Sequence, residues 1–186
     1  MNKEIDQIFI DDFSEAEILY KQNKFKESLE KYKSLLKIQP DHISVLNNIG
    51  LVYEKLNDFN KSIDFYKKCN EIKPNQVILI HNLANAYTQL ERWADALPLL
   101  KSIIDIDFEN ENNSEKYALC LFNIKSKEET KCFISAVIAK YPDNELLNRL
   151  LGKSLLHLNL HSEGLKYLQK GSGFIELNAD GVKYLN

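Results

Sequence analysis

Three prolines set a repeat along the chain. Pro40 and Pro74 stand 34 residues apart, and Pro142 follows Pro74 at twice that distance. Laid out at this period, the chain divides into units at 9–42, 43–76, 77–110, 111–144 and 145–178. A period between about 20 and 50 residues is typical of supersecondary units that cannot bury their apolar faces alone. The units must therefore stack on one another.

The unit from Ile43 to Gln76 predicts two helices joined by a short turn. Its first half spaces apolar residues three and four apart, which places them on one helical face: Leu46, Ile49, Val52, Tyr53 and Leu56. Asn57 and Asp58 form a turn whose side chains can cap a second helix, and Pro74 ends that helix. The unit is therefore expected to be a helical hairpin.

Equivalent positions of the five units carry residues of matched size. Two columns hold small residues: Ala16, Gly50, Ala84, Ala118 and Gly152, and then Ser28, Ser62, Ala96, Thr130 and Gly164. Two others hold large residues: Leu19, Tyr53, Tyr87, Leu121 and Leu155, and then Tyr32, Tyr66, Leu100, Ile134 and Leu168. Small and large groups alternating in fixed phase predict close packing within and between hairpins.

Composition excludes several classes of function. The 186 residues are 44% apolar, and a net charge of −3 is spread without basic blocks, so a nucleic-acid or anionic-membrane binder is not indicated. The start, MNKEIDQIFIDDF, lacks the pattern of a signal peptide, and no apolar run approaches the roughly 20 residues of a membrane span. We therefore expect a cytoplasmic protein with no membrane or nucleic-acid partner.

The repeats resemble those of tetratricopeptide repeat (TPR) proteins, most clearly in LNNIGLVYEKLNDFNKSIDFYKKCNEIKP and HNLANAYTQLERWADALPLL. The resemblance implies an all-α fold, a right-handed α-solenoid of about five TPR helical hairpins with a short non-helical C-terminal tail. The array is expected over 1–171, with Gly171 ending the last helix, and the tail over 172–186. Two short apolar runs in the tail predict a small hairpin.

Some positions depart from the TPR pattern. Asp12 and Glu15 stand where other units are apolar, and we expect them to face solvent as a polar cap. Phe108 replaces the stop proline. Pro98 should bend the helix that contains it, unless it lies so near the first turn that the helix loses no backbone hydrogen bond. Lys127 stands where other units carry an aromatic residue, so the fourth unit is predicted to be degenerate, with altered packing.

No motif for catalysis, a cofactor or a metal is present in the sequence. His157 and His161 have a spacing that can bind metal, but a predicted helix break at Asn159 separates them and no third ligand is suggested. Three cysteines without CxxC spacing are interpreted as small buried hydrophobes. The chain is therefore predicted not to be an enzyme and to have no catalytic, cofactor-binding or metal-binding residues.

In TPR proteins the first helices of the hairpins line a concave groove that binds peptides. The resemblance places eight candidate groove residues here: Tyr20, Asn47, Asn48, Leu51, His81, Asn82, Asn85 and Gln89. Asn48 and Asn82 share one column, which is similar to the asparagine ladder by which some TPR arrays hold peptide backbones. The alternative is that these amides are solvated or brace the helices.

The predicted function is a protein–protein interaction module with an adaptor or scaffold role, which binds a peptide or protein segment in the groove. The Lys, Arg and Asn set with which chaperone-binding TPR proteins hold a terminal carboxylate is absent. Two alternatives remain. One is a structural scaffold that assembles into a homo-oligomer through the fourth unit or the tail; the other is the TPR arm of an enzyme system whose catalysis lies elsewhere.

Overall fold

The computed structural model describes residues 3–106, 110–124, 127–172, 174–178 and 181–185, with side chains described between residues 6 and 172 of these ranges. Ten helices follow one another: α1 (Lys3–Lys21), α2 (Phe25–Ile38), α3 (Ile43–Lys55), α4 (Phe59–Ile72), α5 (Val77–Gln89), α6 (Trp93–Ile106), α7 (Glu111–Asn123), α8 (Lys127–Val137), α9 (Glu145–His157) and α10 (His161–Ser172). The predicted all-α fold of helical hairpins is confirmed. Phe108 lies outside the described residues.

The tail that follows α10 is not helical. Strands β1 (Phe174–Asn178) and β2 (Gly181–Leu185) pair in antiparallel register, with Phe174 opposite Leu185 and Asn178 opposite Gly181. β1 contacts α10, which ends at Ser172.

The chain forms two compact units, Met1–Arg92 and Trp93–Asn186. In the first unit each of the helices α1 to α5 packs against the next one along the chain. In the second unit α6 packs on α7, α8 and α9 both pack on α7, α8 packs on α9, and α9 packs on α10. Because the helices of each unit contact their sequence neighbours within that unit, the core of each unit is built from local packing.

The predicted columns of small residues are buried in both units. The Ser28 hydroxyl donates a hydrogen bond of 2.9 Å to the Ala16 carbonyl, so α1 and α2 approach closely at this point. A Cβ atom added to Gly50 would lie 2.4 Å from Cε1 of the fully buried Tyr66. The absence of a side chain at this position therefore lets α3 and α4 come together.

The N-terminal helix differs from the sequence expectation. α1 begins at Lys3, six residues before the first predicted unit. Phe9, the first residue of that unit, is buried, and its ring packs 5.0 Å from that of His42. Asp12 and Glu15 do not simply face solvent. Lys31 Nζ lies 2.9 Å from Asp12 Oδ1 and 2.7 Å from Glu15 Oε2, which joins α1 to α2.

The fourth repeat forms two helices, of which the second is short. α8 contains 11 residues, whereas α2, α4 and α6 contain 14. Lys127, at the position of the missing aromatic residue, donates through Nζ to the Phe122 carbonyl at 2.7 Å. The same Nζ lies 3.6 Å from the centre of the Phe122 ring. The cationic side chain of Lys127, bound to the C-terminal end of α7, thus replaces the aromatic side chain that other units carry at this position.

The prediction that all three cysteines are buried is wrong for one of them. Cys69 and Cys120 are buried, and burial raises the pKa of each thiol to about 11. Cys132 is exposed on α8. Its neighbours along the helix, Lys131 and Phe133, are only partly buried, so this stretch of α8 lies at the surface.

Candidate functional site

The eight predicted groove residues all lie in the first unit, on three helices. Tyr20 is in the last turn of α1, and three residues of α3 follow: Asn47, Asn48 and Leu51. The remaining four are on α5: His81, Asn82, Asn85 and Gln89. All are partly buried except the exposed Gln89. Residues three and four apart share one helical face, so each helix presents its members together.

Three of the eight residues line one pocket. Tyr20, Asn48 and Leu51 enclose it together with Glu17, Lys21 and Tyr32, and its volume is about 220 Å³. A water molecule in the liquid takes about 30 Å³, so the pocket is large enough for one amino-acid side chain. Helices α1, α2 and α3 each contribute at least one wall.

The asparagine amides on α3 and α5 join successive helices. Asn48 Nδ2 donates to the Tyr32 hydroxyl at 3.0 Å, which links α3 to α2. Asn82 Nδ2 donates to Asn47 Oδ1 at 2.9 Å, which links α5 to α3. Both amides therefore brace the repeat, as the alternative interpretation of the sequence allowed. Each of these bonds uses one of the two N–H groups of its donor and leaves its carbonyl oxygen available.

The other α5 residues do not line the pocket. Asn85 Nδ2 lies 3.1 Å from His81 Nδ1 within the same helical face. The Thr88 hydroxyl donates to the Asn85 carbonyl at 2.7 Å. The predicted groove residues thus fall into two groups: one lines the pocket beside α1, and the other forms a polar face on α5.

Two tyrosine hydroxyls remain neutral over the physiological pH range. Burial raises the pKa of Tyr32 to about 12, and the charge of Glu17 acts in the same direction. Burial also raises the pKa of Tyr20, with a further contribution from the charge of Glu54. The formal charges lining the pocket are those of Glu17 and Lys21, which stand one helical turn apart on α1.

Sequence reasoning missed two of the pocket residues, Tyr32 and Lys21, whereas Glu17 lies on the groove face of α1 that the position of Tyr20 predicts. Tyr32 belongs to a column of large core residues, so nothing in its spacing marked it as a pocket wall. On α1, Glu17 stands three residues before Tyr20 and Lys21 directly follows it. The spacing of Glu17 to Tyr20 is a helical neighbour spacing and was the signal available.

The repeats of the chain match three family models. A model described as TPR repeat matches residues 16–57, and two described as tetratricopeptide repeat match residues 43–76 and 79–114. The chain belongs to the tetratricopeptide repeat family. The matched residues include all eight of the predicted groove residues.

This TPR protein is similar to solved structures over most of its length. YrrB, described as a TPR protein with an unusual peptide-binding site, is 19% identical with a TM-score of 0.78, covering 86% of this chain and 82% of that chain. MamA AMB-1 is 16% identical with a TM-score of 0.80, covering 89% and 91%. MamA from Desulfovibrio magneticus RS-1 is 13% identical with a TM-score of 0.77, covering 89% and 92%. These similarities show the fold, an all-α TPR solenoid.

A comparison with curated proteins finds no match. Repeat proteins of this fold are typically non-catalytic. Within the part of the chain that the structure describes, no three His, Cys, Asp or Glu side chains come together as metal ligands would. None of the described helices combines the length and the apolar character needed to cross a membrane.

Proposed function

We propose that this TPR protein is an adaptor or scaffold that binds a peptide or protein segment along α1, α3 and α5. The family and its structural neighbours support the broader statement that the chain is a protein-interaction module. YrrB, of similar fold, is described as having a peptide-binding site, which adds support for a peptide as the ligand.

The observation that carries the proposal is the pocket beside α1. A side chain of the bound segment would enter it, against Leu51 and the ring of Tyr20. Asn48 lines the same pocket, and Asn82 lies one repeat further along. Each side-chain amide keeps an N–H group and its carbonyl oxygen outside the hydrogen bond that joins the helices, and such an amide can pair with a peptide backbone whatever the side chains of the peptide are.

Alanine at the asparagines is a poor test of this proposal. Asn48 and Asn82 hold successive helices together, so their loss would remove hydrogen bonds that each contribute about 1 kcal/mol to folding. Leu51 is better suited, since it is partly exposed and the structure gives it no polar partner to lose.

The test starts by selecting peptides from a random display library on the wild-type chain, and then measures their affinity by calorimetry. Leu51→Lys should weaken binding by about tenfold or more, which corresponds to 1.4 kcal/mol. Asn60→Lys places the same new charge at an exposed site on α4 and should leave affinity unchanged. Equal affinity for wild type and Leu51→Lys would reject the pocket as the binding site.

Self-assembly is the second candidate, and exposed side chains on α1 favour it. Ile8, Ile10 and Ile18 are 50%, 57% and 53% exposed. A second copy that covered these side chains would remove apolar surface from water, which favours association. If this candidate is correct, sedimentation velocity will detect an oligomer that the double variant Ile8→Gln/Ile18→Gln disrupts. A wild-type chain that sediments as a monomer at high concentration would exclude it.

A further inference from the structure

The second unit contains a larger groove than the pocket beside α1. It lies between α7, α9 and the end of α10, and its volume is about 760 Å³. Its apolar lining includes Leu119 and Phe122 of α7 and Leu150 of α9. Arg149, Leu150 and Lys153 stand three repeats after Asn47, Asn48 and Leu51 and share their columns, so this surface repeats the predicted groove positions, and the inference drawn from it rests on the proposed function.

The polar lining of the groove is mainly cationic. Arg149 and Lys153 stand one turn apart on α9, which places them on the same face of the helix, and Lys170 is in the last turn of α10. The acidic residue that also lines the groove is Glu145. This surface therefore carries an excess of positive charge on a chain whose net charge is −3.

Two of these cations are available to a ligand. Among the residues that the structure describes, the side chains of Arg149 and Lys153 take part in no hydrogen bond or ion pair. Lys170 Nζ lies 3.6 Å from Asp143 Oδ1, but this carboxylate side chain is 93% exposed, so the pair is solvated and weak. The groove thus presents uncompensated positive charge above an apolar floor.

A close helix contact places Lys170 at the groove. A Cβ atom at Gly171 would lie 2.6 Å from both the Arg149 nitrogen and the Glu145 oxygen of the backbone. Gly171 therefore allows the end of α10 to lie directly on the first turns of α9. Lys170, the preceding residue, is brought by this contact to the side of the groove that Arg149 lines.

We propose that this groove binds an acidic, partly apolar peptide segment of a partner protein. Side-chain carboxylates would pair with Arg149 and Lys153, and an apolar side chain would lie on Leu119, Phe122 and Leu150. An arginine guanidinium can bind a carboxylate through two parallel hydrogen bonds. Cations spread over two helices favour several carboxylates along a segment over a single terminal one. The apolar floor and Glu145 disfavour a nucleic acid.

The probe is a fluorescein-labelled, C-terminally amidated dodecapeptide of alternating Asp, Glu and Leu residues, so that every carboxylate belongs to a side chain. Its anisotropy is measured with the full chain at low salt. A peptide with Lys in place of the acids and a single-stranded DNA of equal length serve as competitors. We expect the acidic peptide to bind, with affinity falling as salt screens the charges.

The variants identify the surface. Arg149→Gln/Lys153→Gln should weaken binding of the acidic peptide by about tenfold or more, as expected when charge partners are truncated. Lys153→Gln alone, at an exposed residue, should give part of this loss without affecting folding. Lys166→Gln is the matched control, since it removes the same charge from an exposed position of α10 outside the groove.

Several outcomes would overturn the inference. Undiminished binding to Lys153→Gln and to the double variant would place the peptide elsewhere, and equal binding of the basic peptide would exclude charge recognition. Displacement by DNA that is stronger than that by unlabelled acidic peptide would indicate a polyanion site instead. Leu51→Lys should leave acidic-peptide binding intact, so this test and the test of the first-unit pocket can fail separately.

Discussion

At the scale of single residues, the turns inside four of the hairpins each place one residue in the left-handed backbone conformation. Asn23, Asn57 and Asn159 have φ angles of 61°, 59° and 62°, and they share one column of the 34-residue repeat. Asparagine tolerates this conformation better than most residues, which explains its recurrence. Glu91 occupies the same column with a φ angle of 54°. Its side chain is exposed, so no packing compensates for the strain.

Replacing Glu91 with Asn should therefore stabilise the protein. The expected gain is about 0.5–1 kcal/mol in the free energy of unfolding, because the strained residue is exchanged for one that adopts the left-handed region more easily. Urea unfolding at pH 7 measures it. Asn57→Glu is the converse control and should cost a similar amount. A lower midpoint for Glu91→Asn would show that the glutamate side chain contributes something that the turn geometry does not reveal.

At the scale of helices, the sequence predicts where along the chain a helix lies better than it predicts the exact ends of that helix or the residues that it contacts. Hairpin two begins and ends where the apolar spacing and the Asn–Asp turn predict, because local chemistry fixes those boundaries. The prediction that Gly171 ends the last helix is wrong: α10 continues to Ser172, because Gly171 packs against the backbone of α9 instead of ending the helix. The packing of Phe9 against His42 is a contact across 33 residues. The binding of Lys127 to the end of α7 depends on where another helix stops. Such contacts leave no periodic signal.

Asp58 provides a test of local control at the start of α4. Its Oδ1 accepts a hydrogen bond of 3.2 Å from the Lys61 backbone nitrogen, and the Lys61 side chain lowers the pKa of the carboxyl group. Asp58→Ala should cost about 1 kcal/mol at pH 7, the usual value for a lost N-cap. A carboxyl pKa lowered by folding stabilises above 3.8 and loses that contribution as pH falls further.

The difference between wild type and Asp58→Ala should therefore narrow when thermal unfolding is repeated near pH 3. Asp58→Asn keeps an oxygen acceptor at the cap without the charge, and it should lie close to wild type because the side-chain ion pair with Lys61 is largely solvated. If the stability difference between wild type and Asp58→Ala is the same at pH 7 and near pH 3, the charge of Asp58 makes no contribution to the cap.

At the scale of the molecule, the periodic columns predicted the fold class because burial repeats with the sequence. The candidate site was less predictable. A column can show that Asn48 and Asn82 are equivalent, but their partners differ: one bonds Tyr32 and the other bonds Asn47. In the second unit, Arg149 and Lys153 stand in the columns of Asn47 and Leu51, but Lys170 reaches the cationic groove from the end of another helix and could not be predicted from a column. Sites formed between helices depend on three-dimensional packing that the repeat does not encode.

Buried titratable groups distributed along the array lead to a prediction for the whole molecule. Burial raises the pKa of Tyr32 from 10.0 to about 12 and those of Cys69 and Cys120 from 9.0 to about 11. A group whose pKa is raised by folding stabilises fully below its unfolded pKa, and this contribution is lost as pH rises toward the folded value. Stability should therefore decline from about pH 9, with Tyr32 adding to the slope above about pH 10.

Urea midpoints measured from pH 7 to pH 11 test this expectation, since each such group can remove up to about 1.4 kcal/mol per pH unit within its window. Tyr32→Phe should lower stability at pH 7 by about 1 kcal/mol, because Asn48 loses its acceptor. The same variant should show a shallower decline above pH 10. Cys120→Ala should reduce the slope already between pH 9 and pH 10. If the midpoint stays constant to pH 11, these groups titrate in the folded chain as they do in the unfolded one, and the burial described for them does not hold in solution.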